Sequence, residues 1–111
     1  AKAMLEHPRS VIGLSDRGAH CGAISDGSTP TFMLTHWARD RKRGLLPLEF
    51  VVKKQTCDTA RLYGLNDRGV LAPGYRADIN VIDHAELALE PPEMVHDLPA
   101  GGGRFVQKAR G

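Results

Sequence analysis

Asp16 is the residue of this sequence best placed to do chemistry. It follows directly on Ser10–Ser15 (S-V-I-G-L-S), a short apolar run that ends in polar residues and reads as a buried strand opening into a loop. A carboxylate at the C-terminal mouth of a buried parallel strand can act as a metal ligand or as a general base. The same placement suits an Asp that caps its own turn, which is the commoner use, and spacing alone leaves both open. His20 stands in the same loop. The five histidines (His7, His20, His36, His84 and His96) are scattered, and none belongs to an HxH pair, an HExxH helix or a zinc-spaced Cys/His cluster. Taken alone, these residues do not assemble a metal site.

The remaining polar residues read as structural. Asp26, in Ser25-Asp26-Gly27-Ser28, is a turn residue, and neither Ser15 nor Ser25 stands in the GxSxG setting of a nucleophile. The basic run Arg39-Asp40-Arg41-Lys42-Arg43 could meet phosphate, but a solvated helix terminus is the commoner role for such a run. Trp37 reads as core. Gly101-Gly102-Gly103 lacks the strand–loop–helix setting of a phosphate loop.

The elements that must position these residues follow from periodicity. The loop from Asp16 to Pro30 is rich in Gly, Ser, Asp and His and has little to bury apart from Cys21 and Ile24, as functional loops often do. From Thr31 to Arg43 apolar residues recur at helical steps, with Thr29 as N-cap, Pro30 in the first turn and Gly44 as the stop. A second helix is expected from Pro47 to Tyr63, with Leu48, Val51, Val52, Gln55, Thr56, Thr59, Ala60 and Tyr63 on one side and Gly64 ending it. Pro73-Gly74 suits the centre of a type II turn. Ala77–Asp83 alternates like a half-buried strand. The proline- and glycine-rich stretch from Glu90 to Gly103 reads as extended or mobile, and Phe105-Val106 is a weak strand candidate.

Composition sets the outer bounds. With 111 residues, 41% of them apolar and 25% charged, the chain fits one ordinary globular domain. Fifteen basic residues against 13 acidic ones leave a net charge of +2, too small to steer the chain to nucleic acid or an anionic membrane. No apolar run is long enough to span a bilayer, and the start lacks the core of a secretory signal, so a cytoplasmic location is expected. Cys21 and Cys57, far apart in sequence, are expected to be free thiols.

The string Ile12-Gly13-Leu14-Ser15-Asp16-Arg17-Gly18-Ala19-His20 resembles the final barrel-strand motif of the amidohydrolase superfamily, and within it the N-acyl-D-amino-acid deacylase (D-aminoacylase) group. A second stretch, Gly64-Leu65-Asn66-Asp67-Arg68-Gly69-Val70-Leu71-Ala72-Pro73-Gly74-Tyr75-Arg76-Ala77-Asp78, resembles the passage by which these enzymes leave the barrel for a small β-sandwich. Pro30–Leu48 and Asp97-Leu98-Pro99-Ala100-Gly101-Gly102 also look like longer members of the group.

The resemblance implies an α/β fragment: the last strand and helices of a (β/α)8 metal-dependent hydrolase barrel over residues 1–64, then the start of a small β-sandwich and an extended tail over 65–111. It implies a zinc-dependent hydrolase of non-peptide C–N amide bonds, with N-acyl-D-amino acids as small-molecule substrates. Metal-bound hydroxide would attack the carbonyl, and Asp16 would bind or face the metal and act as general base. Gly18, Ala19 and His20 would line the substrate. One or two Zn2+ would be held mostly by residues absent from this sequence, since no HxH pair is present. The chain therefore reads as a C-terminal portion of a longer enzyme, inactive alone and needing its missing remainder or self-association to cover strand edges.

Two other classes compete: a non-catalytic interaction module derived from the enzyme, using the Trp37 helix, and a nucleic-acid binder using Arg39, Arg41, Lys42 and Arg43. No nucleic-acid or membrane partner is expected. An oligonucleotide should therefore show no binding to the chain at low salt in a filter or anisotropy assay, whereas salt-sensitive binding there would restore the basic-run reading.

Overall fold

A computed structural model describes residues 1–13 and 27–111. These fall into two compact units. The first joins Ala1–Gly13 to His36–Val81, and the second joins residues 27–35 to Ile82–Gly111. Helices dominate the first unit, and short antiparallel ladders the second.

In the first unit, α1 (Lys2–Glu6) is a single short helix with a Lys2–Glu6 ion pair at 3.3 Å along its face. Its exit is tied by the Ser10 hydroxyl, which donates to the Met4 carbonyl at 2.6 Å. Two longer helical stretches follow in the expected order, the first of them beginning in the second unit and entering the first at His36. The helix α2 (Thr29–Phe32) continues into a wider, π-wound segment, Met33–Asp40, in which the Arg41 N–H reaches back five residues to the His36 carbonyl. Its N-cap is Ser28, one residue before the expected Thr29, with Pro30 in the first turn. Gly44, at φ +68°, turns the chain, and the Leu46 N–H then donates to the Trp37 carbonyl at 2.9 Å. Trp37, expected in the core, is half-buried, with the Arg41 guanidinium over its ring at 4.0 Å. The deepest core positions of this unit are Val51 and Leu46, 0% and 2% exposed.

The second helical stretch comprises α3 (Leu48–Lys53), a π-wound turn (Lys54–Asp58) and α4 (Thr59–Leu62). It ends in a Schellman arrangement. Gly64, at φ +71°, donates to Arg61 O, and Leu65 donates to Ala60 O at 2.8 Å. The buried stripe is Val51, Lys54, Cys57 and Ala60. Val51 and Ala60 are on the expected side. Val52 is exposed, whereas Lys54 and Cys57 are inside, because backbone carbonyls take up the lysine charge that would otherwise keep it in water. Cys57 is a free buried thiol, as expected, and Cys21 lies outside the described residues.

Beyond α4 the chain folds back on the helix. At Gly69, φ is +82°, and an added Cβ would stand 2.9 Å from the Thr56 carbonyl and 3.0 Å from Ala60 Cβ. The type II turn forms as read, with Gly74 at φ +82° and Tyr75 N–H donating to Ala72 O at 3.1 Å. Arg68 and Arg76 gather Asp67 and Asp78 into a surface ion network.

The expected strand at Ala77–Asp83 does not form, and the one expected at Ser10–Ser15 is described only as far as Gly13. Ala77–Asp83 belongs to no ladder, leaving Val81 94% exposed. Ser10–Gly13 is also outside regular structure, while Leu14 and Ser15 lie outside the described residues. A strand needs a neighbour to satisfy its backbone, and no described strand pairs with either segment.

In the second unit, the stretch expected to be extended or mobile supplies one extended strand, Glu93–Val95, and the expected strand at Phe105-Val106 forms its partner. β1 (Ala88–Leu89) pairs with β4 (Ala109–Arg110), and β2 (Glu93–Val95) pairs with β3 (Arg104–Val106), all antiparallel. The two ladders are successive parts of one bent ribbon. Glu90 N–H donates to Lys108 O at 2.9 Å, and the next pair is Glu93 with Val106. Pro91 and Pro92 therefore oppose Gln107 alone, two residues against one, which is a β-bulge. Prolines cannot donate to the ladder, so they are tolerated where it is interrupted. Above the ribbon, His84 Nε2 meets the Leu34 carbonyl at 3.0 Å, and Met33 and Leu87 form the small core. At the far end, Asp97 and Arg104 form a bidentate pair at 2.8 and 2.6 Å across the 96–103 loop.

The Arg104 guanidinium holds the Asp97 carboxyl below its usual range, and Arg68 does the same for Asp67. A carboxylate depressed in the folded state adds stability that is complete above its unfolded value and lost as pH falls through the folded one. The unfolding midpoint should therefore drop on acidification below about pH 4, and Arg104→Ala should flatten part of that drop, both read by denaturant titration across pH. Gly69→Ala should cost about 1–3 kcal/mol in urea denaturation, since it combines a positive φ with a close backbone contact. An unchanged midpoint would mean that the Gly69 loop is not seated on the helix.

Candidate functional site

Asp16, Gly18, Ala19 and His20 lie outside the described residues, as do Ser15, Ser25 and Asp26. The structure does describe how the chain is held on either side of them. On the upstream side the holding group is Lys54. Its side chain is 5% exposed, and its ammonium donates to the carbonyls of His7 at 3.1 Å and Ser10 at 2.5 Å. Asp58 Oδ2 lies 4.0 Å away, and the Phe50 ring centroid 5.6 Å away. The ammonium thus meets two fixed dipoles and a carboxylate, which offsets the cost of taking a charge out of water. Ser10 adds its own N–H, donated to the His7 carbonyl at 3.1 Å.

On the downstream side, within the second unit, the Ser28 hydroxyl donates to Gln107 Oε1 at 2.6 Å, and Gln107 Nε2 donates to the Glu90 carbonyl at 2.8 Å. Gln107 is the residue opposite the Pro91-Pro92 bulge, so the bulge presents the side chain that holds the start of α2. Sequence reading singled out neither Lys54 nor Gln107. A lysine inside a helical run carries no sequence signal of burial, and Gln107 gains its partner only through strand register.

Among the described residues, no group of three or more His, Cys, Asp or Glu side chains converges to hold a metal ion. The described histidines have other partners. His7 Nδ1 accepts from the Arg9 N–H at 3.1 Å, His84 meets Leu34 O, and His96 Nδ1 meets Gly101 O at 3.2 Å. His36 stands edge-on to Trp37. Described residues therefore do not fit a metal centre, and the two carboxyls held low, Asp67 and Asp97, are occupied by guanidinium groups. No described helix is long and apolar enough to cross a membrane.

Comparison with known proteins covers most of the sequence. The profile described as "Amidohydrolase family" matches residues 1–106. A D-aminoacylase of Alcaligenes xylosoxydans xylosoxydans is 50% identical over 56 residues, which is 50% of this chain and 11% of that protein. Adenine deaminase 1 of Rhizobium meliloti (strain 1021) is 36% identical over 69 residues, 58% of this chain and 12% of that protein. An adenine deaminase of Lysinibacillus sphaericus (strain C3-41) is 50% identical over 40 residues, 36% of this chain and 7% of that protein. The chain spans about a tenth of the length of the first two relatives. No solved structure matches it. With its profile matched from the first residue through β3, the chain belongs to the amidohydrolase family.

Proposed function

We propose that this sequence is a C-terminal portion of a hydrolase that cleaves non-peptide C–N amide bonds of N-acyl-D-amino acids. The observation that carries the substrate class is the half-identical match to a D-aminoacylase over half of the chain. The adenine deaminase matches support the broader chemistry, since both named activities break a bond between carbon and nitrogen by hydrolysis. Residues 1–64 would close the catalytic barrel and residues 65–111 would begin a β-sandwich. The exposed Ile79 and Val81 support a missing neighbour, supplied by the rest of the enzyme or by self-association.

Within this reading Asp16 is the general base. Water attacks the amide carbonyl as its proton passes to the Asp16 carboxylate, the C–N bond breaks, and the proton goes to the leaving nitrogen, giving a carboxylic acid and a free amine. Gly18, Ala19 and His20 border the substrate. Zinc, one or two ions, enters this proposal through the family alone, with its ligands mostly outside this sequence. The chain by itself is catalytically silent.

The test uses the full-length enzyme that carries this sequence, assayed for amine release from N-acetyl-D-amino acids, from their L enantiomers and from adenine. Selective turnover of the D substrates is expected. Asp16→Asn should lower kcat by at least about 100-fold with an unchanged circular dichroism spectrum. Turnover of adenine alone would overturn the substrate class, and an active Asp16→Asn variant would remove Asp16 from the mechanism.

A further inference from the structure

We infer that Lys54 is a positioning residue, setting the backbone from which the Asp16 run departs; its catalytic consequence rests on the function proposed above. The choice of partners is informative. A buried ammonium normally answers carboxylates, yet the two closest acceptors here are main-chain carbonyls, at 3.1 Å from His7 and 2.5 Å from Ser10. Asp58 lies farther off, at 4.0 Å through one oxygen, while its other oxygen takes Lys53 at 2.5 Å. An apolar side chain of similar length would fill the same space without desolvating a charge, so burial alone does not call for lysine. What the charge adds is direction, two strong donors that fix two carbonyls in place.

Those carbonyls bracket Pro8 and Arg9, and Ser10 is the first residue of the apolar run that ends before Asp16. Fixing Ser10 O fixes the backbone at a point six residues before Asp16 in sequence. The rigid part is the helix. Lys54 opens the Lys54–Asp58 turn, Val51 beside it is fully buried, and the Thr59 hydroxyl ties onto the Lys54 carbonyl at 2.9 Å. Misplacing a catalytic group by about an ångström costs on the order of 100-fold in rate, so a remote clamp of this kind has leverage on turnover.

Two measurements test this. In the full-length protein that carries this sequence, Lys54→Met should keep the circular dichroism signal while the Ser10 amide, bonded to His7 O, exchanges with solvent about tenfold faster by site-resolved hydrogen-exchange mass spectrometry. Lys54→Arg should exchange within about twofold of the parent. If Lys54→Met does not fold, Lys54→Gln supplies the same comparison. Parent-like exchange in the folded Met or Gln variant overturns the clamp.

In the full-length hydrolase, Lys54→Met should lower kcat about tenfold or more with KM within about twofold, and Lys54→Arg should recover most of it. An unchanged kcat, or a loss carried by KM, overturns the positioning role. A parent enzyme inactive on N-acyl-D-amino acids would sink the proposed function instead, and the exchange comparison would still decide whether Lys54 holds the backbone.

Discussion

The first unit is organised around a charge that water would ordinarily keep. The Lys54 ammonium sits in the buried stripe of the second helical stretch, and its placement is tolerable only because the carbonyls of His7 and Ser10 come to meet it. That requirement ties the N-terminal segment to a helix more than forty residues later in sequence. Val51, Cys57 and Ala60 bury alongside it, and the Gly69 loop closes on Thr56 and Ala60 from the other direction in sequence. A hydrophobic stripe alone would bury area without choosing which backbone atoms lie against it. The ammonium makes that choice.

The second unit depends on a different constraint, the inability of proline to donate a hydrogen bond. Pro91 and Pro92 interrupt the ribbon, and the ladder resumes with its register shifted by one residue. That shift leaves Gln107 alone opposite two prolines, with its amide free to hold Ser28 and the Glu90 carbonyl. The ribbon closes through the Asp97–Arg104 pair and the tight 96–103 loop, where an added Cβ on Gly103 would stand 2.9 Å from Met94 Sδ. The residues they hold, Ser10 and Ser28, stand on either side of the Asp16 motif in sequence.

Local physical chemistry was legible in the sequence. Gly44, Gly64 and Gly74 all adopt the positive φ that their contexts demand, and both helical stretches lie between the expected stops. These features depend on neighbouring residues alone. The family was legible for a related reason, since a string such as Ile12–His20 is recognisable wherever it occurs, and the profile match over residues 1–106 agrees with it.

Tertiary structure decided everything that needed a distant partner. Alternation at Ala77–Asp83 describes a strand's faces but supplies no neighbour, and Val81 stays in solvent. Glu90–Gly103 reads as extended or mobile from its prolines and glycines, and pairing with Arg104–Val106 decides that Glu93–Val95 is a strand. Lys54 is buried only because two carbonyls from the chain's beginning meet its ammonium, a pairing no local pattern announces. Sequence determines what each segment can do with its neighbours, through dihedral preference, capping and period. Which segments meet, and so which polar groups can be buried, depends on long-range hydrogen bonds that only the folded chain makes.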